Sequence, residues 1–205
     1  AGSQDLKSQN EFNSFYVGAN IGRDTPYVHL NTKESNAADN RKNVYMLQGL
    51  NGNFVFGHQW LLGKLLLDLN TIDGYSDATA RKTIANDFKY RKKYNTSLNF
   101  GFGLKQNKVL YEALIGLSVS KFSRKGDTGN SPGQNFNNKW EPGLLTGAKL
   151  SSIILPHLNL TATYLFSYYR AIASSGTKSN GDTENVKDHF YEQRYLLGLD
   201  YMFNS

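Results

Sequence analysis

The sequence of 205 residues lacks cysteine, contains only four prolines and has no long apolar run. Without cysteine there can be no disulfides, thiolate metal sites or cysteine nucleophiles. No apolar stretch approaches the roughly 20 residues that a transmembrane helix needs, which excludes a helical membrane protein. The first four residues, 1–4, show neither a basic nor an apolar leader segment, so we expect any export signal to have been removed or replaced.

The residues that are abundant favour strands and turns. There are 19 glycines, 13 tyrosines and 12 phenylalanines. Aromatic residues are enriched in strands, and glycine is common in the turns that connect them. A mean hydropathy of −0.52 would suit a soluble protein. It also allows a membrane barrel, because only every second residue of a barrel strand must be apolar. The average hydropathy therefore does not separate these two classes.

Two neighbouring segments alternate between apolar and polar residues. In 94–105 the even-numbered residues are mostly apolar or aromatic, and in 109–122 the odd-numbered ones are. If Gln106 and Asn107 form a tight turn, Leu104 faces Val109 and Phe102 faces Tyr111. Ten residue steps span roughly 33 Å of strand, or about 25 Å of height at the usual tilt. This hairpin is long enough to cross an outer membrane.

The same alternation recurs along the chain and predicts eight strands. They lie near 15–22, 44–57, 64–75, 94–105, 109–122, 140–151, 158–169 and 190–203. Their connections alternate in length: 58–63, 106–108 and 152–157 are short, whereas 23–43, 76–89, 123–139 and 170–189 are long and polar. We therefore predict an all-β fold, an eight-stranded antiparallel up-and-down transmembrane β-barrel, formed by residues 14–205 after a tail of 1–13. A soluble sandwich or lipocalin is the alternative.

The first and last predicted strands carry a family resemblance. Residues 15–19 read Phe-Tyr-Val-Gly-Ala, and 195–203 read Tyr-Leu-Leu-Gly-Leu-Asp-Tyr-Met-Phe. These segments resemble the opening and closing strands of the OmpA-like and opacity-type small outer-membrane barrels. The resemblance implies a Gram-negative outer membrane, no enzyme activity, and loops that contact host extracellular proteins in adhesion or serum resistance. Short turns face the periplasm in this class, so both termini are expected there.

Several charged residues fall on the predicted inward faces. The members of this predicted interior network are Asp68, Glu112, Lys149, Arg194 and Asp200. An eight-stranded barrel is only wide enough inside for side chains, so we expect these charges to pair and fill the lumen. The alternative is a narrow channel for small solutes or ions that these pairs control.

Basic residues cluster near the outer end of the central hairpin. The predicted register places Lys92 directly opposite Lys121 on the lipid face, where like charges destabilise a strand pair. Lys89, Arg124 and Lys125 lie just above them. We hypothesise that these five residues bind lipopolysaccharide phosphates and outer-membrane lipids; the alternative is a solvated base of a loop. Nucleic acid is not favoured, because no stacking aromatic residues interleave with these charges.

The sequence contains no convincing catalytic, metal or cofactor motif. None of the four histidines stands in the His-x-Ser pattern of the lipid A deacylases. His29 with Ser76 and Asp77 faintly resembles the palmitoyltransferase barrels, which keeps a lipid A-modifying enzyme as a remote alternative. We therefore predict no catalytic residues, no metal and no cofactor. A surface protein whose loops bind host molecules and a passive channel remain the two main hypotheses.

Overall fold

The computed structural model describes residues 11–34, 41–80, 88–126, 136–177 and 183–204, and these are almost entirely β-strand. The strands are β1 (Glu11–Glu34), β2 (Arg41–Leu62), β3 (Leu65–Ser76), β4 (Thr79–Ala80), β5 (Phe88–Gln106), β6 (Val109–Gly126), β7 (Phe136–Leu155), β8 (Leu158–Tyr169), β9 (Ile172–Thr177) and β10 (Thr183–Asn204). Within these ranges no helix is long and apolar enough to cross a membrane.

The strands close into a single antiparallel ring. Each long strand pairs with the next long strand along the chain, and β1 pairs with both β2 and β10. The short strand β4 continues the line of β3 between β2 and β5, and β9 continues the line of β8 beside β10. Eight strand positions therefore make up the wall, which confirms the predicted eight-stranded antiparallel barrel.

One end of the barrel, here called the turn end, carries three tight turns and the two ends of the described chain. The turns are at 63–64, 107–108 and 156–157. Gly63 and Asn107 have positive φ angles of 64° and 56°, a conformation that glycine and asparagine adopt at low cost. The opposite end, here called the loop end, carries the connections 35–40, 81–87, 127–135 and 178–182, which lie outside the described residues.

Apolar residues cover the outside of the barrel and polar residues line much of its inside. Phe54 and Leu197 are 68% and 64% exposed, whereas Asp68 and Asn99 are fully buried. Water would penalise so large a contiguous apolar surface, and a lipid bilayer removes that penalty. Aromatic residues border this belt at both ends: Tyr75, Tyr94, Trp140, Tyr168 and Tyr191 towards the loop end, and Trp60, Tyr111, Tyr201 and Phe203 towards the turn end. The outside of the barrel is therefore a membrane-spanning surface.

The predicted register of the central hairpin was wrong by two residues. The turn is at 107–108, so Leu104 pairs with Tyr111 and Phe102 pairs with Ala113. The two turn residues are Asn107, which has the left-handed conformation, and Lys108, whereas the prediction had chosen Gln106 and Asn107. Moving the turn by one residue changes the pairing by two. A shift of two residues keeps every side chain on the same face, so the predicted inside and outside of this part of the hairpin are unchanged.

The strands also extend much further past the belt than the sequence predicted. β1 has 24 residues and runs to Glu34, inside the predicted loop 23–43, although about 10 residues suffice to cross a membrane. Beyond the belt the pattern inverts: Val28 and Leu30 are buried, whereas His29 and Lys33 face out. Water replaces lipid around this extension, so its apolar residues turn inward. In the belt part of β1 the apolar residues have odd numbers, and in the extension they have even numbers. This change of phase was the signal in the sequence that the prediction missed.

Candidate functional site: the barrel interior and a basic rim

A first ion cluster, the lower cluster, lies inside the membrane-spanning part of the barrel. Lys149 Nζ is 3.1 Å from Asp200 Oδ2 and 3.6 Å from Asp68 Oδ2. The Tyr16 hydroxyl donates to Asp68 Oδ2 at 2.9 Å, and Lys149 Nζ donates to the Tyr16 oxygen at 3.3 Å. All four side chains are buried. The structure therefore brings together three of the five residues of the predicted interior network.

Glu112 belongs to the same part of the interior. It pairs in register with Lys149 on the neighbouring strand, and its Oε1 accepts a hydrogen bond of 3.3 Å from Gln59 Nε2. A cavity of about 10 Å³ beside Lys149 and Asp200 has room for roughly one water molecule. This part of the lumen is filled by side chains, as expected for an eight-stranded barrel.

A second ion cluster, the upper cluster, lies nearer the loop end. Lys92 Nζ contacts Asp24 Oδ2 at 2.8 Å and also binds Glu192 Oε1. Glu192 accepts a further hydrogen bond from the Tyr169 hydroxyl, and Arg194 Nε is 3.8 Å from Glu192 Oε1. Arg194 therefore belongs to the upper cluster. The single network predicted from the sequence is two clusters in the structure.

Apolar side chains fill the rest of the interior. One group, here called the apolar layer, packs against Tyr16 and consists of Val55, Ile72, Leu114, Leu145, Leu165, Leu196 and Met202. A second group, the aromatic plug, fills the extension and contains Val28, Leu47, Tyr90, Phe122, Tyr169 and Phe190. The rings of Phe122 and Phe190 stack at 4.3 Å. Charged and apolar layers therefore both occupy the lumen along its length.

The prediction that Lys92 faces lipid opposite Lys121 was wrong. Lys92 is fully buried in the lumen and pairs in register with Phe122. A β-bulge between Lys92 and Asn95 is the cause, because one extra residue in a strand moves every later side chain to the opposite face. Strict alternation along the strand carries no sign of this bulge. Lys92 cannot contribute to a lipid-facing rim.

Arg124 does not belong to an outward rim either. It continues the unbroken alternation of β6, in which Ser120 and Phe122 are also buried, and its guanidinium lies inside the extension. Arg124 Nη1 is 2.5 Å from Asp188 Oδ2, and the Tyr90 hydroxyl donates to Asp188 Oδ1 at 3.0 Å. Burial raises the pKa of Asp188 to about 6 despite the neighbouring Arg124, and burial raises the pKa of Tyr90 well above its ordinary value. At neutral pH the ion pair is therefore intact.

The other three residues of the predicted rim do face outwards. Lys89 pairs directly with Lys125 across β5 and β6, and both are exposed. Lys121 Nζ lies 5.6 Å from the ring centroid of Tyr94 and 5.4 Å from that of Trp140. Arg91 is exposed on β5, two residues from Lys89 on the same face of the strand. Here Lys89, Arg91, Lys121 and Lys125 are called the basic rim. Like charges are therefore opposed in the basic rim, where the pair is Lys89 and Lys125 instead of the predicted Lys92 and Lys121.

The possible catalytic residues are not brought together. Ser76 Oγ accepts from the Ala78 amide at 3.2 Å, and Asp77 Oδ1 accepts from the Leu50 amide at 2.7 Å. His29 pairs with Val44 on β2, whereas Ser76 pairs with Asn51 of the same strand, seven residues or roughly 23 Å away. In the described ranges no three His, Cys, Asp or Glu side chains form a group that could hold a metal ion.

Comparisons with solved structures agree with this architecture. No family model and no curated protein sequence matches the chain. The structure of the outer membrane protein OprG from Pseudomonas aeruginosa is similar, with a TM-score of 0.62 and 10% identity over 96% of this chain and 98% of that one.

Two further structures align over 93% of the chain. A major outer membrane protein from Thermus thermophilus has a TM-score of 0.51 and 16% identity, with 99% of its own length covered. The Escherichia coli outer membrane protease OmpT has a TM-score of 0.52 and 8% identity, with 97% covered. At such low identities the likeness concerns the fold, which is that of the bacterial outer-membrane β-barrels.

Proposed function

We propose that the chain is a surface protein of the outer membrane, with its turn end in the periplasm, and that its loop end binds host extracellular molecules. The observation that supports this role is the extension. The strands continue past the belt and surround the aromatic plug and the Arg124–Asp188 ion pair. Such a core holds the strand ends at the loop end at a fixed distance from the membrane, and a rigid scaffold of this kind is what binding loops are usually carried on.

A binding assay on cells that display the whole barrel tests this role. We expect such cells to adhere to surfaces coated with fibronectin or laminin more than cells without the barrel do. Replacing 35–40 and 178–182 by short Gly-Ser links should abolish the difference, because these connections join the strands that extend furthest. The Lys108→Gly variant, which changes a turn at the opposite end of the barrel, is the control and should adhere like the unmodified barrel. Equal adhesion with and without the barrel would contradict the proposal.

A passive channel is the second candidate, and the filled interior argues against it. The lower cluster, the apolar layer and the aromatic plug all occupy the lumen. A pore would need polar surface and water along its whole length, as in the larger barrels. We expect the barrel to give no steady single-channel current in planar bilayers. A steady current that changes on Glu112→Ala would instead favour the channel.

We also propose that the basic rim binds the phosphates of lipopolysaccharide. Lys89 and Lys125 repel each other unless an anion lies between them, and the rim stands directly beside Trp140 and Tyr94 at the edge of the belt. The double variant Lys89→Gln, Lys125→Gln should weaken lipopolysaccharide binding roughly tenfold, for a loss of about 1.4 kcal/mol. Lys33→Gln with Lys42→Gln, on the exposed face of β1 and β2, is the matched control. Equal binding by both double variants would remove the rim proposal.

A further inference from the structure

A groove interrupts the outer surface of the membrane belt across β6, β7, β8, β10 and β1. Its volume is about 560 Å³. Ala148 and Ala162 form its floor, because their small side chains leave the wall uncovered between larger neighbours. Tyr164, Tyr195 and Leu197 form its sides. Large apolar side chains project around this floor, such as Leu197 and Ile21 of its own lining, which are 64% and 62% exposed. The groove is therefore a specific depression in an otherwise full surface.

Arg23 stands at the end of this groove that is nearer the loop end. It follows Ile21, which lines the groove, on the same face of β1, and it pairs in register with Tyr195, which also lines it. Its side chain is exposed, and no described residue forms a hydrogen bond or ion pair with it. A cationic side chain beside lipid is costly unless it pairs with an anion. The Arg23 guanidinium therefore favours a negatively charged partner at this position. The Tyr195 hydroxyl donates instead to Gln193 at 3.2 Å.

We infer that the groove and Arg23 together form a binding site for one phosphorylated lipid of the outer leaflet, bisphosphorylated lipid A. An acyl chain lies along the two alanines between the aromatic sides, and Arg23 binds a phosphate of the headgroup. Arginine suits this role because its planar fork donates two hydrogen bonds to phosphate oxygens. The choice of an outer-leaflet lipid rests on the proposed outward direction of the loop end. The site and the basic rim share only β6, where Tyr111 lines the groove near the turn end and Lys121 and Lys125 belong to the rim near the loop end.

Native mass spectrometry of the purified barrel with added bisphosphorylated lipid A tests the site. The rim variant Lys89→Gln, Lys125→Gln serves as the background, so that the groove is measured without the rim. We expect one lipid A molecule to remain bound there. Arg23→Gln should weaken this binding roughly tenfold, and Ala162→Phe, which fills the groove, should abolish it. Arg170→Gln and Ala19→Phe make the same changes outside the groove and should leave it unchanged.

Three results would overturn the inference. One is equal binding by the Arg23→Gln variant, because the phosphate would then have another partner. A second is equal retention of phosphatidylglycerol and lipid A, because the groove would then accept any lipid. A third is a dimer mass that Ala162→Phe removes, because a second copy would then occupy the groove. The heat-dependent gel shift of folded barrels shows that each variant is folded. Adhesion to fibronectin or laminin does not enter these readouts, so the host-binding proposal can fail separately.

Discussion

Replacing Lys149 by methionine should destabilise the barrel more than any change on its surface. Lys149 is the cation that lies between Asp68 and Asp200 in the lower cluster, and the three side chains are buried. Methionine has a similar length and fills the same space. The Lys149→Met variant therefore removes the charge with little loss of packing and leaves two carboxylates without their cation.

The size of the effect follows from the distances. At 3.1 and 3.6 Å, with an effective dielectric constant of 20, each ion pair contributes about 5 kcal/mol of Coulomb energy. Removing the ammonium also removes its own desolvation cost, which is several kcal/mol. The difference is a loss of about 3–5 kcal/mol in the free energy of unfolding, the range observed when one partner of a buried pair is removed.

Urea unfolding in lipid vesicles, followed by tryptophan fluorescence and by the gel shift of the folded form, measures this loss. Lys121→Met is the matched control, because Lys121 lies on the neighbouring strand with its ammonium over aromatic rings at the belt edge. It should cost no more than about 1 kcal/mol. Adding Asp200→Asn to Lys149→Met should recover part of the loss, because one buried carboxylate is then neutral. A Lys149→Met barrel within about 1 kcal/mol of the original would refute the reasoning.

Three further predictions concern other parts of the wall. Asn107→Ala should cost about 1–2 kcal/mol in urea unfolding and Asn107→Gly almost nothing, since at a φ of 56° glycine and asparagine are tolerated whereas alanine has neither glycine's freedom from a Cβ nor asparagine's polar side chain; equal costs would contradict this. Gly22→Ala should cost about 1–3 kcal/mol, because its Cβ would overlap the Tyr195 carbonyl oxygen. Gly52→Ala meets no atom and should be nearly neutral, so similar losses would count against this packing. Arg124→Met should speed amide exchange of 183–190 in hydrogen-exchange mass spectrometry and leave the belt strands unchanged; unaltered exchange in 183–190 would show that the ion pair does not hold the extension.

The number of strands and the faces of the belt could be read from the sequence. A strand presents alternate residues to opposite sides, and lipid on one side forces every second residue to be apolar. This requirement is local, so it is visible in a segment such as 94–105 without knowledge of its neighbours. For the same reason, a register error of two residues in the central hairpin left its faces correct.

The basic rim shows where local reasoning stops. The sequence predicted an outward cluster of five residues, and Lys89, Lys121 and Lys125 do face outward. Lys92 lies inside because a bulge between Lys92 and Asn95 reverses the alternation of β5, whereas Arg124 lies inside because it continues the unbroken alternation of β6. A bulge is set by pairing and packing between strands, and the sequence of one strand carries little sign of it. The extension was missed because its apolar phase is opposite to that of the belt.

The sequence alone determined the class of the protein, a closed wall of eight amphipathic strands, because contact with lipid leaves a periodic pattern along each strand. Only the tertiary structure decided which charges meet. Tyr16, Asp68, Lys149 and Asp200 come from four different strands that are far apart in the chain, and closure of the ring brings them within hydrogen-bonding distance. No spacing in the sequence encodes that meeting. The groove on the belt depends in the same way on five strands lying side by side.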